Sequence, residues 1–446
     1  MTNPSIVPSG RNLKYLLIGI GILLTGLAGS ASASIFDTHG YGARGVALAN
    51  SMVAVRGDFT GTYYNPAALT GDSTAQLAIG FDLVLPMLSI RHSANAPADR
   101  PTDVYPGTNV GIHIGGRFPL FESLDHGITL GVLAFAPMVN STRIEVVDGV
   151  QPHFHRYNSQ SDALTLGLAL AGQVNSWLSV GGGVHILGGL KGGSIIEIDL
   201  LSRRFLQEEL VADVNPEKAF NLGVTVHPSK TLTFGLSFRQ SIDLPYSLTI
   251  DTNVTGIGRV VTTVYGQALY MPPEYAFGVR WVPRTDLRLM FQLDYELWSQ
   301  SPDPAARFSG LVDGSALGFG GETLAHTPTD LGAVDTLSPR IGAEYDVNSV
   351  VGLRMGYAFL PTPLPNQTGS NNYVDSNAHQ LGLGAVYALR NPWARKSAPI
   401  HLEFAVQLLQ LASRDMVKTS VDDPVGTYSA GGPIWHSSFT VRHLFE

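Results

Sequence analysis

Apolar side chains recur at every second position in run after run of this chain, and that period leaves few folds open. Leu287, Leu289, Phe291, Leu293, Tyr295 and Leu297 alternate with Arg288, Met290, Gln292, Asp294 and Glu296. Only an extended strand sends those two sets to opposite faces. The same dyad appears in Ile400, Leu402, Phe404, Val406 and Leu408, and again in Val351, Leu353, Met355, Tyr357 and Phe359. It recurs in Tyr275, Phe277, Val279 and Trp281, and in Leu232, Phe234, Leu236 and Phe238. Runs of about ten residues suit a tilted strand that crosses a bilayer. The residues on the second face are glycine, alanine or polar, so they do not build a second packed core.

Composition sharpens the reading. Mean hydropathy is +0.12 and 14% of residues are charged, below the roughly 25% usual in soluble domains. After the first thirty residues, no stretch approaches the ~18 unbroken apolar residues of a helical span. The hydrophobicity is spread over short pieces instead. No cysteine is present, so a disulfide-stapled secreted domain is excluded. The acidic balance offers nucleic acid no footing.

At the N-terminus, Arg11 and Lys14 precede the apolar stretch 15–29 and the small-residue site Ala31-Ser32-Ala33. This reads as a secretory signal over 1–33, the alternative being a membrane anchor. Removing those two cations takes the net charge from -8 to -10. Residues 34–74 do not alternate and are rich in small side chains, with Gly40, Gly42 and Gly45 close together. Such a segment can pack inside a lumen, and Asn65 before Pro66 favours an extended or turn backbone.

Residues 75–446 supply about fifteen candidate strands, and a barrel of this kind takes an even number, so fourteen are expected. Tight turns fall at 227–230, 282–286 and 346–349. Long polar excursions fall at 91–107, 141–160, 251–258, 299–335, 361–377 and 413–433. Tyr270, Tyr275, Trp281, Tyr295, Trp298, Tyr387, Trp393 and Trp435 are placed for aromatic girdles at the two membrane interfaces. The alternative is a soluble β-sandwich. The final strand, 434–446, carries Trp435, Phe439, Val441 and Phe445 on one face.

A Gly-rich opening with Gly42-Ala43-Arg44-Gly45, followed by Tyr64-Asn65-Pro66-Ala67-Ala68-Leu69, resembles the hatch of the FadL/TodX family. Further along, Leu269-Tyr270-Met271-Pro272, Arg340-Ile341-Gly342-Ala343-Glu344-Tyr345, Leu353-Arg354-Met355-Gly356-Tyr357 and Gln380 to Tyr387 keep the family's order and spacing. The resemblance covers the mature chain. It implies a fourteen-stranded outer-membrane barrel whose N-terminal hatch, including Gly40, Gly42, Arg44, Gly45, Asn65, Pro66 and Ala67, blocks the pore. It also implies passive uptake of long-chain fatty acids or aromatic hydrocarbons by pocket capture, hatch rearrangement and lateral release. By the same analogy Ser34, Ile35 and Phe36 line an inner pocket. The expected partners are that ligand, outer-membrane lipid and lipopolysaccharide, and the barrel-assembly machinery.

Phe154 and Tyr157 are candidates for an outer apolar groove. So are Leu200, Leu201, Phe205 and Leu206, in a 194–213 segment that reads as a short amphipathic helix. The alternative for both is a solvated loop packed on itself. Inward cations at Arg280, Arg288 or Arg354 could pair with a ligand carboxylate, or form a structural ladder with acids. His153 and His155 share one side of an extended stretch but lack a third metal ligand nearby. Neither a phosphate loop nor a nucleophile elbow is present, and no pattern calls for a cofactor or catalysis. Three functions remain to be separated: uptake, a surface-protein export or attachment partner of the same fold, and a lipid-modifying barrel enzyme.

Overall fold

In the computed structural model, described residues run from 39 to 445. They exclude 121–126, 139–142, 145–146, 158–160, 163, 200–203, 255–257, 305–306, 314–321, 326–329, 390–398 and 421–422. Fourteen strands form a ring: β1 Ala75–Pro86, β2 Asn109–Pro119, β3 Ile128–Pro137, β4 Thr165–Asn175, β5 Leu178–Asp199, β6 Arg204–Val226 and β7 Leu232–Arg239. The circuit continues with β8 Glu274–Arg284, β9 Leu287–Glu296, β10 Thr336–Asp346, β11 Val351–Leu360, β12 Ala378–Leu389, β13 Ile400–Met416 and β14 Tyr428–Phe445. Each pairs antiparallel with its chain neighbour. The last pairs with the first, from Ala75 opposite Phe445 to Pro86 opposite Ile434. The sheet therefore has no edge within the membrane, where no water would satisfy one.

Its polarity is inverted relative to a soluble protein. Large apolar side chains face outward, with Phe291 45% and Leu383 64% exposed. Ile79, Leu170, Leu222, Leu236, Phe277, Ile341, Met355 and Phe404 point the same way. The alternate positions, Asp82, His113, Arg117, Gln292, Asp294, Glu344, Glu403 and Arg442, are buried in the interior. This is the facing that the period-two pattern predicts for a barrel. A β-sandwich would bury the opposite set.

Of the expected girdle, Tyr275, Trp281, Tyr295, Tyr387 and Trp435 are exposed. Trp298 is not. It sits in a short 3₁₀ turn, Trp298–Gln300, beyond β9, where the strand pattern has ended and its ring turns in to pack edge-on to Tyr270 and His155. Trp393 lies outside the described residues.

The outer side departs further from expectation. The 194–213 helix is not formed: β5 and β6 continue as one paired hairpin up to Asp199 opposite Arg204. Backbone pairing along that ladder engages the described residues of the segment apart from the bulge at Leu206, which outweighs a helical pattern of side chains. Ile242–Val254 then runs parallel to the upper part of β5, with Tyr246 opposite Leu190. It pairs onward to Gly258–Met271, Arg307–Asp313 and Glu322–Ala325. Residues 251–254, 258, 307–313 and 322–325, expected as loop, are thus sheet outside the ring.

Replacing Phe291 with Arg should cost about 2–4 kcal/mol near the bilayer midplane and hinder insertion. Wild-type heat-modifiable electrophoretic mobility of that variant would show that the face does not meet lipid.

Candidate functional site

Two regions fill the ring: the N-terminal segment in its lower part and an apolar cluster above it. Helix α1, Gly42–Ala47, is built from small residues and nearly all of it is buried. The chain leaves α1 through Ala49 and Asn50, both in the left-handed region with φ of 48° and 67°. Asn50 N–H donates to the Gly45 carbonyl at 2.9 Å and its side chain accepts from the Tyr64 hydroxyl at 3.0 Å. Gly40 and Gly42 have φ of +99° and +72°, which a side chain would resist. A Cβ on Gly45 would lie 2.3 Å from the Tyr64 oxygen. After α2, Gly61–Tyr64, Asn65 is extended and its side chain accepts from Ala67 N–H at 3.1 Å while donating to the Val53 carbonyl at 2.7 Å. Pro66 starts the 3₁₀ turn Pro66–Leu69, where its missing N–H costs nothing.

This segment is bonded to the inner face of strands all round the ring. Ala43 N–H donates to Thr440, Val53 N–H to Gln292 and Phe59 N–H to Gln76, at 3.1, 3.0 and 3.2 Å. Carbonyls of Val46, Ala49 and Thr62 accept from Gln407, Arg340 and Asn221. Arg44 grips Glu344 with two nitrogens, at 2.8 and 2.7 Å, and reaches Asp58 with the third at 2.8 Å. Around it Arg354 bridges Glu344 and Glu403, and Arg442 binds Glu403. A carboxylate in such a fork is a strong partner, and losing one member would strand a buried charge.

Space for the segment is made by inward glycines. A Cβ on Gly356 would come within 2.1 Å of the Leu48 carbonyl carbon, and one on Gly235 within 2.3 Å of the Val53 oxygen. Gly223, Gly342 and Gly382 are in similar contact with residues 47–67. Reading these positions merely as the non-lipid face missed their role; their recurrence opposite apolar residues on many strands was the available signal.

A continuous buried cluster runs from Tyr41, Phe59 and Tyr63 of the segment upward past Leu133 and Phe135 to Leu360, Leu409 and Ile434, and on to Met416 and Tyr428 at the ends of β13 and β14 and to Val374 and Val425 from the outer loops. Phe154 and Tyr157 belong to it. They are therefore buried inside the outer loops and do not line an exposed groove. The reason is a two-residue parallel pairing of His153–Phe154 with Tyr373–Val374, which draws the loop inward. Arg156 is held by Asp375 at 3.1 Å, and Thr362 donates to the same carboxylate. The hydroxyls of Tyr157, Tyr373 and Tyr428 are buried with no partner among the described residues. Tyr373, Met416, Val425 and Tyr428 were not anticipated: all fall in stretches expected as loop, although Met416 ends β13 and Tyr428 starts β14.

Of the other expected residues, Phe205 lies in β6, paired with Ile198, and Leu206 at a bulge beside it. Ser34, Ile35, Phe36, Leu200 and Leu201 lie outside the described residues. Arg288 and Arg354 form ion pairs, whereas Arg280 has none among the described residues. His153 and His155 pack edge-on against Tyr373, and among the described residues no three ligating side chains gather as a metal site.

Burial pushes His153 down to about 4 and His155 down to about 3, the latter also disfavoured by the charges of His153 and Arg156. Both are neutral in the folded cap, so the unfolded cap binds more protons below its ordinary pKa of ~6.5. The cap is fully stable above that value and should loosen as pH falls from about 6.5 towards 4. Hydrogen exchange at 149–157 should accelerate across that window; a flat profile would contradict the burial. Separately, Gly356→Val should preserve the barrel but displace the segment, raising leakage of small polar antibiotics. Unchanged leakage would mean that the segment does not seal the ring.

The chain matches the family described as Outer membrane protein transport protein (OMPP1/FadL/TodX) over residues 22–394. Alkane uptake protein A of Marinobacter nauticus is 23% identical over 466 aligned positions, covering 96% of this chain and 94% of that one. Among solved structures, a Pseudomonas aeruginosa FadL homologue superposes with a TM-score of 0.58 at 15% identity, covering 94% of this chain and 99% of that one. The Pseudomonas putida toluene transporter TodX gives 0.54 at 15% identity, covering 92% and 99%.

Proposed function

We propose that this chain, which belongs to the outer membrane protein transport family of OMPP1, FadL and TodX, carries neutral hydrocarbons across the outer membrane without a fuel. Membership makes it a β-barrel transport protein of the outer membrane, not an enzyme. The finer reading rests on one observation, the apolar cluster that continues from the outer loops to the N-terminal segment.

Removal from water drives capture. A solute burying about 200 Å² of apolar surface gains about 5 kcal/mol. Phe154, Tyr157, Val374 and Tyr428 form the outer part of the path, and Tyr41, Phe59 and Tyr63 the inner part. In this reading the segment 34–74 is a hatch. Its hold on the wall through Arg44, Glu344 and Asp58 is polar, so an apolar solute does not compete for it. Small shifts of the segment then open the path, and the solute leaves sideways into the hydrocarbon of the membrane.

The choice of a neutral solute over a fatty acid follows from charge. Among the described residues of the outer loops, Arg156 is neutralised by Asp375 and Lys418 lies 3.7 Å from Asp423. A carboxylate beside Arg156 or Lys418 would meet a cation already compensated, while Arg91 and Arg100 are exposed to water and Arg414 is engaged by the carbonyls of Leu364 and Asp375. Similarity to an alkane uptake protein supports the same class. One observation favours the fatty-acid reading: Arg156 Nη2 is buried without a partner.

Uptake of labelled hexadecane, toluene and oleate in a deletion strain, with and without the gene restored, decides between them. The expected result is restored entry of hexadecane or toluene with little change for oleate. Restoration of oleate alone would overturn the neutral-solute reading. No change for any compound would overturn uptake and leave the export or attachment partner.

A further inference from the structure

We propose that His436 is a proton-operated latch: with both ring nitrogens protonated it ties the start of the N-terminal segment to the wall, and with one proton gone it lets that start go. The latch does not depend on what crosses the lumen.

Asp82, His113, His436 and Thr440, all fully buried, meet where β1, β2 and β14 face the segment. Asp82 stands between the two imidazoles, and each of its oxygens contacts one ring: His113 through Nδ1, and His436 through Nε2 at 3.1 Å. The Nδ1 of His436 lies 3.2 Å from the backbone carbonyl of His39. The Nε2 of His113 lies 3.0 Å from the Thr440 hydroxyl, whose oxygen accepts from Ala43 N–H. Carbonyl and carboxylate oxygens only accept, so each contact to His39 or Asp82 needs a proton on the ring. The contacts His113–Asp82, His436–Asp82 and His436–His39 therefore take three ring protons. Two neutral imidazoles supply two. Thr440 gives its own hydroxyl proton to His113, which leaves that ring neutral. The third proton belongs to His436, an imidazolium with an acceptor on each side. When it leaves, the remaining ring proton stays with the charged acceptor Asp82, and the His39 carbonyl faces a bare nitrogen.

The other titratable groups around His436 do not take over this role. His39 sets its ring edge-on to that of His436, and burial takes it down to about 3, so it adds no second charge. Tyr41 packs edge-on against His113 and donates its hydroxyl proton to the Ile114 carbonyl. On β13 the residue opposite His436 is Gln407, which donates to the Val46 carbonyl. Glu403, further along that strand, is held by Arg354 and Arg442, and Asp58 of the segment by Arg44 and Arg442. Asp82 is thus the one acid bonded to His436 among the described residues. Two residues beyond His39, Tyr41 is the foot of the apolar cluster, so the latch fixes the lower end of that cluster to the wall.

The test uses the full chain in neutral detergent, with nitrogen-labelled histidine rings, from about pH 5 to about pH 9. The ring resonances of His436, assigned with His436→Phe or His436→Gln, report its protons. Hydrogen exchange, corrected for the intrinsic rate, reports the protection of Tyr41 and Ala43, whose N–H groups donate to Tyr64 and Thr440. As pH rises, His436 should lose one of two ring protons and protection should fall about tenfold in step, opposite in sense to the cap at 149–157. Asp82→Asn should keep the protection and abolish the step. Its amide can donate to one ring and accept from the other, so a neutral His436 still reaches His39. His436→Phe should hold the amides at the lower protection at every pH. If either variant loses heat-modifiable mobility, the wild-type resonances and exchange decide alone. A flat protection profile in wild type, a His436 that never carries both ring protons, or a surviving step in folded Asp82→Asn overturns the proposal.

Discussion

Within lipid every backbone N–H and carbonyl must find its partner in the protein, and the rest of this structure follows from meeting that demand. The ring meets it by joining β14 to β1 over the full length of β1, Pro86 to Ile434 at one end and Ala75 to Phe445 at the other. Once closed, the sheet has a wet or filled inside and an oily outside. The period of two then sorts side chains automatically: Phe291, Ile341 and Phe404 go to lipid, and Gln292, Arg340 and Glu403 go inward. Ordinary globular intuition, with the apolar face as the core, has the sign reversed here.

Filling the inside creates the second problem. A ring of this size encloses more volume than inward side chains from the wall can occupy, and the polar lining forbids an oily core at that level. The N-terminal segment answers with backbone in place of side chains. Inward glycines such as Gly235 and Gly356 let its main chain approach the wall, while Gln292, Asn221 and Gln407 satisfy the amides and carbonyls it brings. Arg44 adds an ionic grip from segment to Glu344, and Asp58 and Asp72 add others to Arg442 and Arg117. Higher up, where Leu133, Phe135 and Ile434 turn inward, the lining becomes apolar. The lumen thus changes chemistry along its axis, polar beside the segment and apolar above it.

The wall was legible because each strand announces itself over about ten residues. Alternation named the outward set of β8, β9, β11 and β13 correctly, and the even-number rule led to fourteen. Legibility failed where tertiary contacts decide. The 194–213 segment reads as a short amphipathic helix, yet its described residues on either side of 200–203 pair with each other as sheet. Trp298 follows an alternating strand, yet one turn later it is buried. Phe154 and Tyr157 were singled out as apolar loop residues, but nothing local revealed that Tyr373 and Val374, more than two hundred residues away, pull them inside. The partnerless state of Arg280 was equally invisible, since the pattern places arginines inward without saying which acids reach them.

The hairpin of β5 and β6 carries one more implication. Thr165 ends opposite Leu187, so the twelve residues from Gly188 to Asp199 rise clear of β4. At about 3.3 Å per residue this is about 40 Å of paired ribbon, buttressed on one side by Ile242–Val254. A stalk of that height stands beyond the lipid head groups and among the sugar chains that coat the cell. The far end of the paired ribbon, Asp199 opposite Arg204, is the natural place to display an inserted epitope without touching the lumen.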